Sequence, residues 1–212
     1  MINKKAACIA MFTFVIMCFF AEGGLSKEIE SKDASIKVNQ IKNEKPKPFT
    51  GIEFLTGYGL AKLHSQGSYR ITPLFIDLDV NLKPSLPRKL STYPGLVQFV
   101  YEPFVSYAFQ PDTNIEVGNN FLLKIVILPE TSRFQPYLKG GVGFLYMSQH
   151  SSEQSTQFNF NEYGGIGMHY FFKKDIAFTL EYRYRHISNG DIKRPNSGIN
   201  SNFVLCGVSL LF

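Results

Sequence analysis

The sequence predicts an all-β protein, an eight-stranded antiparallel barrel of the outer membrane. Three features carry that expectation. From Gly51 onward apolar and polar residues alternate with a period of two, the pattern of strands that have one apolar face. Beyond the first 21 residues no apolar run reaches the ~20 residues that a membrane-spanning helix needs, so a membrane form of this chain has to close its strands into a cylinder. The chain ends on Phe212, in phase with the apolar row Val204, Cys206, Val208 and Leu210, and a terminal aromatic suits a barrel whose rim sits at a lipid interface. With 20 Phe, 11 Tyr and 17 Gly in 212 residues, the composition fits crowded strands that present aromatics to lipid.

The amino-terminal stretch reads as an export signal. Lys4 and Lys5 precede an apolar run from Ala6 to Ala21, with small residues at Gly23 and Gly24. A signal peptide over 1–23 accounts for this order of charge, apolar run and small residues. Residues 24–50 follow as a flexible, solvated segment, in which Lys and Glu alternate between 27 and 47. The barrel then occupies 51–212. Cys8 and Cys18 fall within the leader, which leaves Cys206 alone and without an internal disulfide partner. The net charge of +5 is modest and spread out, so no nucleic-acid partner is expected.

Eight strand candidates follow one another: 51–65, 69–82, 97–110, 115–128, 134–149, 157–172, 175–188 and 200–212. Turn signals at Gln66-Gly67, Pro111-Asp112, Pro129-Glu130-Thr131 and Lys173-Lys174 separate them. The stretch Lys83–Pro94 is long for a periplasmic turn. Within 175–188, Ile176, Phe178, Leu180, Tyr182 and Tyr184 share one face, while Thr179, Glu181, Arg183 and Arg185 share the other. Three charges in a row belong inside the barrel, where they can find partners. Within 134–149, Leu138, Val142, Phe144 and Tyr146 oppose Tyr137, Lys139, Gly141 and Gly143. A soluble barrel of lipocalin type would invert these faces, and alternation alone does not choose. The export signal and Phe212 favour the membrane form, with side chains filling the interior of so small a barrel.

The outward parity of the seventh strand continues through His186 to Ser188. Two residues apart on a strand, their side chains point the same way. Residues 176 to 188 cover roughly 40 Å of strand, or about 30 Å along the bilayer normal after tilt. With the amino terminus periplasmic, this places both groups at the outer-leaflet boundary, where the lipid is lipopolysaccharide. A hydroxyl within reach of an imidazole is a nucleophile with its general base, suited to attack on an ester carbonyl. A solvated His and Ser near a loop remain the simpler reading of these two residues alone.

The wider run His186-Ile187-Ser188-Asn189-Gly190-Asp191-Ile192-Lys193-Arg194-Pro195-Asn196-Ser197-Gly198-Ile199 resembles the carboxy-terminal signature of the PagL family of outer-membrane lipid A 3-O-deacylases. That signature is a His-x-Ser-Asn run followed by Pro-Asn-x-Gly-Ile at the entry to the last strand. The stretch Arg133–Gly141 is similar to the family as well. The resemblance implies removal of the acyl chain ester-linked at the 3-position of lipid A. It also implies Ser188 as nucleophile, His186 as base, and Asn189 with Gly190 as oxyanion donors. The chain departs from the family after Ile199, where a Glu that orients the His is expected and Asn200 stands instead. An Asn can hold an imidazole through its side-chain oxygen but cannot offset an imidazolium charge.

A strand tip near Lys173-Lys174 sets residue 162 opposite 186. Glu162, which interrupts the outward row Phe158, Phe160, Ile166 and Met168, is therefore a second candidate carboxylate. Lys193 and Arg194 in the last outer loop are candidate ligands of lipid A phosphates. His64 and His150 fall at strand ends or loops and His169 faces inward. No ligand spacing around them suggests a metal, and no cofactor is expected. Gly140-Gly141 and Gly164-Gly165 precede no helix, so they read as crowding glycines. The expected partners are lipid A and the outer membrane, with a homodimer left open. Two other functions share the same fold: a non-catalytic barrel that stiffens the membrane or binds through its loops, and an esterase or acyltransferase acting on another lipid.

Overall fold

The computed structural model describes residues 48–212 apart from 65, 66, 150 and 152, so the signal peptide, most of the solvated segment and His150 lie outside the described residues. Eight strands form one closed antiparallel barrel in sequence order. They are β1 (Phe49–Lys62), β2 (Ser68–Asn81), β3 (Val97–Gln110), β4 (Asn114–Val126), β5 (Phe134–Met147), β6 (Phe158–Lys173), β7 (Ile176–Ser188) and β8 (Ile199–Leu211). The expected strands are all present, each shifted by no more than a few residues. β1 begins at Phe49 rather than Gly51, because Phe49 pairs with Val80 and its ring stacks on Phe212 at 5.7 Å. The segment between β2 and β3, too long for a simple turn, forms two short helical turns, Lys83–Ser85 and Arg88–Ser91. Pro84 and Pro87 stand at their starts, where a fixed φ and a missing N–H cost nothing.

Closure comes from β1 against β8, from Gly51↔Leu211 to Ala61↔Ser201. With no free edge, every strand satisfies its backbone on both sides, which is what a hydrocarbon surround demands. The alternation then sorts the side chains. Phe54, Leu74, Val105, Phe121, Leu138, Val142, Ile166 and Val204 all project outward. This is the exposed apolar band of a membrane barrel, and it excludes the soluble alternative.

The interior is filled. Lys124 is paired with both Glu53 and Asp79, and Lys139 reaches Asp77 at 2.7 Å and Glu181 at 2.8 Å. Arg183 grips Glu102 through two bonds of 2.7 and 2.8 Å and also bonds Glu181. Arg185 holds Glu116 at 2.6 Å. The Glu53, Asp77 and Asp79 carboxylates lie close enough together to suggest a cation, but the two lysine ammoniums already bridge them. Above this network Phe75, Phe104, Tyr163 and Phe203 pack together, with the Arg183 guanidinium over the Phe75 ring at 4.5 Å and the Arg185 guanidinium over Phe203 at 5.0 Å. The charges of β7 therefore pair across the lumen as much as with one another.

Crowding explains the inward glycines. A Cβ at Gly141 would come within 2.2 Å of the Phe121 carbonyl, and one at Gly165 within 2.6 Å of the Tyr182 carbonyl. It does not explain Gly164, which faces outward and whose added Cβ would meet nothing within 4 Å.

Candidate active site

β7 carries His186 and Ser188 out of the interior, as their parity predicts. Both are half-buried on the outer wall, while Arg185 and Ile187 between and beside them are fully inside. His186 is flanked by Glu162 of β6 on one side and Asn200 of β8 on the other, and Ser188 lies opposite Phe160. The pairing of Glu162 with His186 is the one the sequence predicts. The imidazole nevertheless turns the other way, with its Nδ1 2.6 Å from Asn200 Oδ1. Since a carboxamide oxygen only accepts, Nδ1 carries the proton and Nε2 keeps its lone pair. Exposed Glu162 makes no hydrogen bond among the described residues, and neither does the Ser188 hydroxyl. Ser188 and His186 thus share a face without sharing a hydrogen bond, a separation that apo geometry allows between a hydroxyl and an imidazole that meet only with substrate.

Gly198 explains how the ring fits. It sits in left-handed backbone at φ 75°, and a Cβ there would come within 2.8 Å of His186 Cε1. Only glycine both adopts this turn without cost and leaves the imidazole its place against the entry to β8. The connection between β7 and β8 is held just as firmly. Gly190 and Asp191 follow Ser188 with φ of 63° and 61°, which folds the chain sharply away from the strand.

Asn189 does not face the reaction as the resemblance implies. It is fully buried, and its donors are spent within the loop. Its backbone N–H goes to Asn196 Oδ1 at 2.9 Å, and its side-chain NH2 goes to the Lys193 carbonyl at 2.6 Å and Ser155 Oγ at 3.4 Å. The physical reason is parity: at an odd position directly after the strand, Asn189 points inward like Ile187. The backbone N–H groups of Gly190 and Asp191 are left without a partner among the described residues. This turn contains Gly190, the other donor the resemblance implies.

Several residues at the site carry no signal in the sequence. Glu153, Gln154 and Ser155, between β5 and β6, clamp the connection after Ser188. Ser155 donates its hydroxyl to the Lys193 carbonyl at 2.8 Å, the Ser155 N–H reaches the Pro195 carbonyl at 3.1 Å, and Gln154 bridges Asn196. Buried Glu153 accepts from the His64 N–H at 2.8 Å, tying the chain just past β1 to the same cluster. No local pattern announces these contacts, because the partners come from three separate connections. The side chains of Lys193 and Arg194 remain exposed beside this fastened backbone, free to meet an anion. His169 is buried, with Nδ1 2.9 Å from Thr179 Oγ1, and takes no part in the outer site.

Comparisons with known proteins agree with this architecture. The sequence model of a family described as lipid A 3-O-deacylase (PagL) matches residues 77–209. Among solved structures, the crystal structure of the outer membrane enzyme PagL superposes with a TM-score of 0.57 at 15% identity, covering 74% of this chain and 99% of that one. The crystal structure of Neisserial surface protein A gives a TM-score of 0.56 at 15% identity, with coverages of 80% and 100%. Among curated proteins no match was found. At such identities the solved structures speak for the fold, an outer-membrane barrel, and the family match speaks for descent.

Proposed function

The chain belongs to the PagL family of lipid A 3-O-deacylases, and from that premise we propose that it removes the 3-O-linked acyl chain of lipid A with Ser188 as nucleophile and His186 as general base. The observation that carries this reading is the Nδ1 contact of His186 with Asn200 at 2.6 Å on the lipid-facing wall. It leaves a basic Nε2 on the same face as a serine hydroxyl, at the strand end that meets the outer leaflet.

The reaction then runs in two halves. As Ser188 Oγ attacks the ester carbonyl, its proton passes to His186 Nε2, and the tetrahedral oxyanion accepts from N–H groups of the Gly190–Asp191 turn. Collapse expels the sugar alkoxide, which takes the proton from the imidazolium, and the acyl chain stays on Ser188. Water, deprotonated by the same Nε2, hydrolyses that ester and frees a 3-hydroxy fatty acid. Asn200 is the positioning residue, since its oxygen fixes the tautomer. Glu162 stands in register on the other side of the ring, where its charge favours the imidazolium that forms in each half. Lys193 and Arg194, exposed in the connection after Ser188, meet anionic headgroup oxygens in this reading.

The test is the mass of lipid A from a Gram-negative host expressing the protein. Loss of one 3-hydroxyacyl chain with wild type, and not with Ser188→Ala or His186→Ala, is the expected result. Unchanged lipid A, with a folded wild-type barrel in the outer membrane, would leave the non-catalytic reading. Release of chains from phospholipid alone would favour the other esterase.

A further inference from the structure

Two outward cations lie beside the site and have no role in the scheme above. Lys62 is the last residue of β1 and Arg70 stands near the start of β2, where Leu60↔Arg70 and Lys62↔Ser68 are paired. The β1–β8 pairing ends at Ala61↔Ser201, and one residue further it brings Lys62 beside Asn200. Four adjacent strands thus carry Glu162, His186, Asn200 and Lys62 along one row that climbs about 3 Å per strand toward the outer rim, as strand tilt requires. Strand spacing puts Lys62 about 10 Å from His186, and Arg70 roughly 15 Å away. Both are exposed, and among the described residues neither side chain is in an ion pair.

A cation that leaves a barrel wall sideways needs an anion or water at its own depth. Here that depth lies a few ångströms outward of His186, on the headgroup side of the proposed ester position. The charge across the site is also polarised, with an acid on the β6 side of the imidazole and two bases on the β1–β2 side. An anionic substrate whose ester reaches Ser188 is repelled from one side and drawn to the other, which orients it about the scissile bond. Arginine adds a planar fork suited to two oxygens of one phosphate, and lysine a compact point charge.

We propose that Lys62 and Arg70 form a phosphomonoester-binding site that takes a phosphate of the same lipid whose ester lies at Ser188. The proposal rests on the lipid A reading, but its test is made to fail separately. Ser188→Ala protein in phospholipid nanodiscs is titrated with lipid A carrying its phosphates and with lipid A stripped of them, so that binding is read without turnover. The phosphorylated probe is expected to bind about tenfold more tightly, a preference that weakens at high salt. Lys62→Gln together with Arg70→Gln should abolish that preference and leave the affinity for the stripped probe unchanged.

The proposal is overturned if the Ser188→Ala protein shows no preference, or if the preference survives in the double variant. It is equally overturned if Lys193→Gln with Arg194→Gln, and not the strand pair, abolishes it. A failure of the esterase reading shows elsewhere, as unchanged lipid A in cells, whatever the titration gives.

Discussion

The two polar regions of this barrel are made of similar residues and behave in opposite ways. Inside, every Lys and Arg among the buried residues is tied to at least one carboxylate, and Arg183 is held by two. Outside, His186 has one partner, and Ser188 and Glu162 have none among the described residues. Inside a small barrel an unpaired charge would be costly, so every buried cation is paired with a carboxylate and held away from any reactant. On the outer wall at the headgroup level, polar groups can stay underbonded because water and lipid oxygens are near. Paired charges make a scaffold, and underbonded polar groups on the outer wall make a candidate site.

That contrast can be broken experimentally at several points. The largest effect is expected from Ser188→Ala, which should abolish deacylation in lipid A mass spectra while leaving the unfolding midpoint of the refolded barrel unchanged. Arg183→Met should do the reverse. It strands Glu102 and Glu181 in the lumen and should cost about 3–5 kcal/mol of stability in denaturant titrations, with activity per folded molecule retained. If Arg183→Met were neutral, the lumen network would not be a scaffold.

Smaller effects sharpen the comparison within the site. Asn200→Ala should lower the deacylation rate about a hundredfold by freeing the imidazole tautomer. Asn200→Glu should raise it about tenfold, within the ~10⁴ that exchanging a carboxylate for an amide behind a catalytic imidazole can cost. The smallest change is expected from Glu162→Gln, a few-fold loss in kcat, because Glu162 acts through space and not through a bond. A larger loss from Glu162→Gln than from Asn200→Ala would show that the ring turns to β6 during the reaction. Rates measured on purified protein with each substitution decide between the two neighbours.

Most of the scaffold is legible in the amino-acid pattern. In β7 the alternation separates Arg183 and Arg185 from Tyr182 and Tyr184 without ambiguity, and the same parity carries His186 and Ser188 outward. The tip at Lys173-Lys174 is enough to set Glu162 opposite His186. Asn189 is the exception. Its place next to Ser188 and its match to the family signature suggest a role at the reacting ester, whereas its odd parity, continued past the strand end, sends it inward. The clamp from Ser155 and Gln154 and the fit of Gly198 against the imidazole leave no local trace.

The sequence by itself determined which residues share a face, since a side-chain period of two leaves no freedom within a strand, while the structure put the apolar row outside. The sequence also set His186 and Ser188 at the far end of the seventh strand. Only the tertiary structure decided which neighbour holds His186 and which loop donors are already spent. Barrel closure decided that the end of β1, at Ala61, pairs with Ser201 beside the site. Those outcomes depend on rotamers and on contacts between strands far apart in the chain, and a one-dimensional pattern carries no information about either.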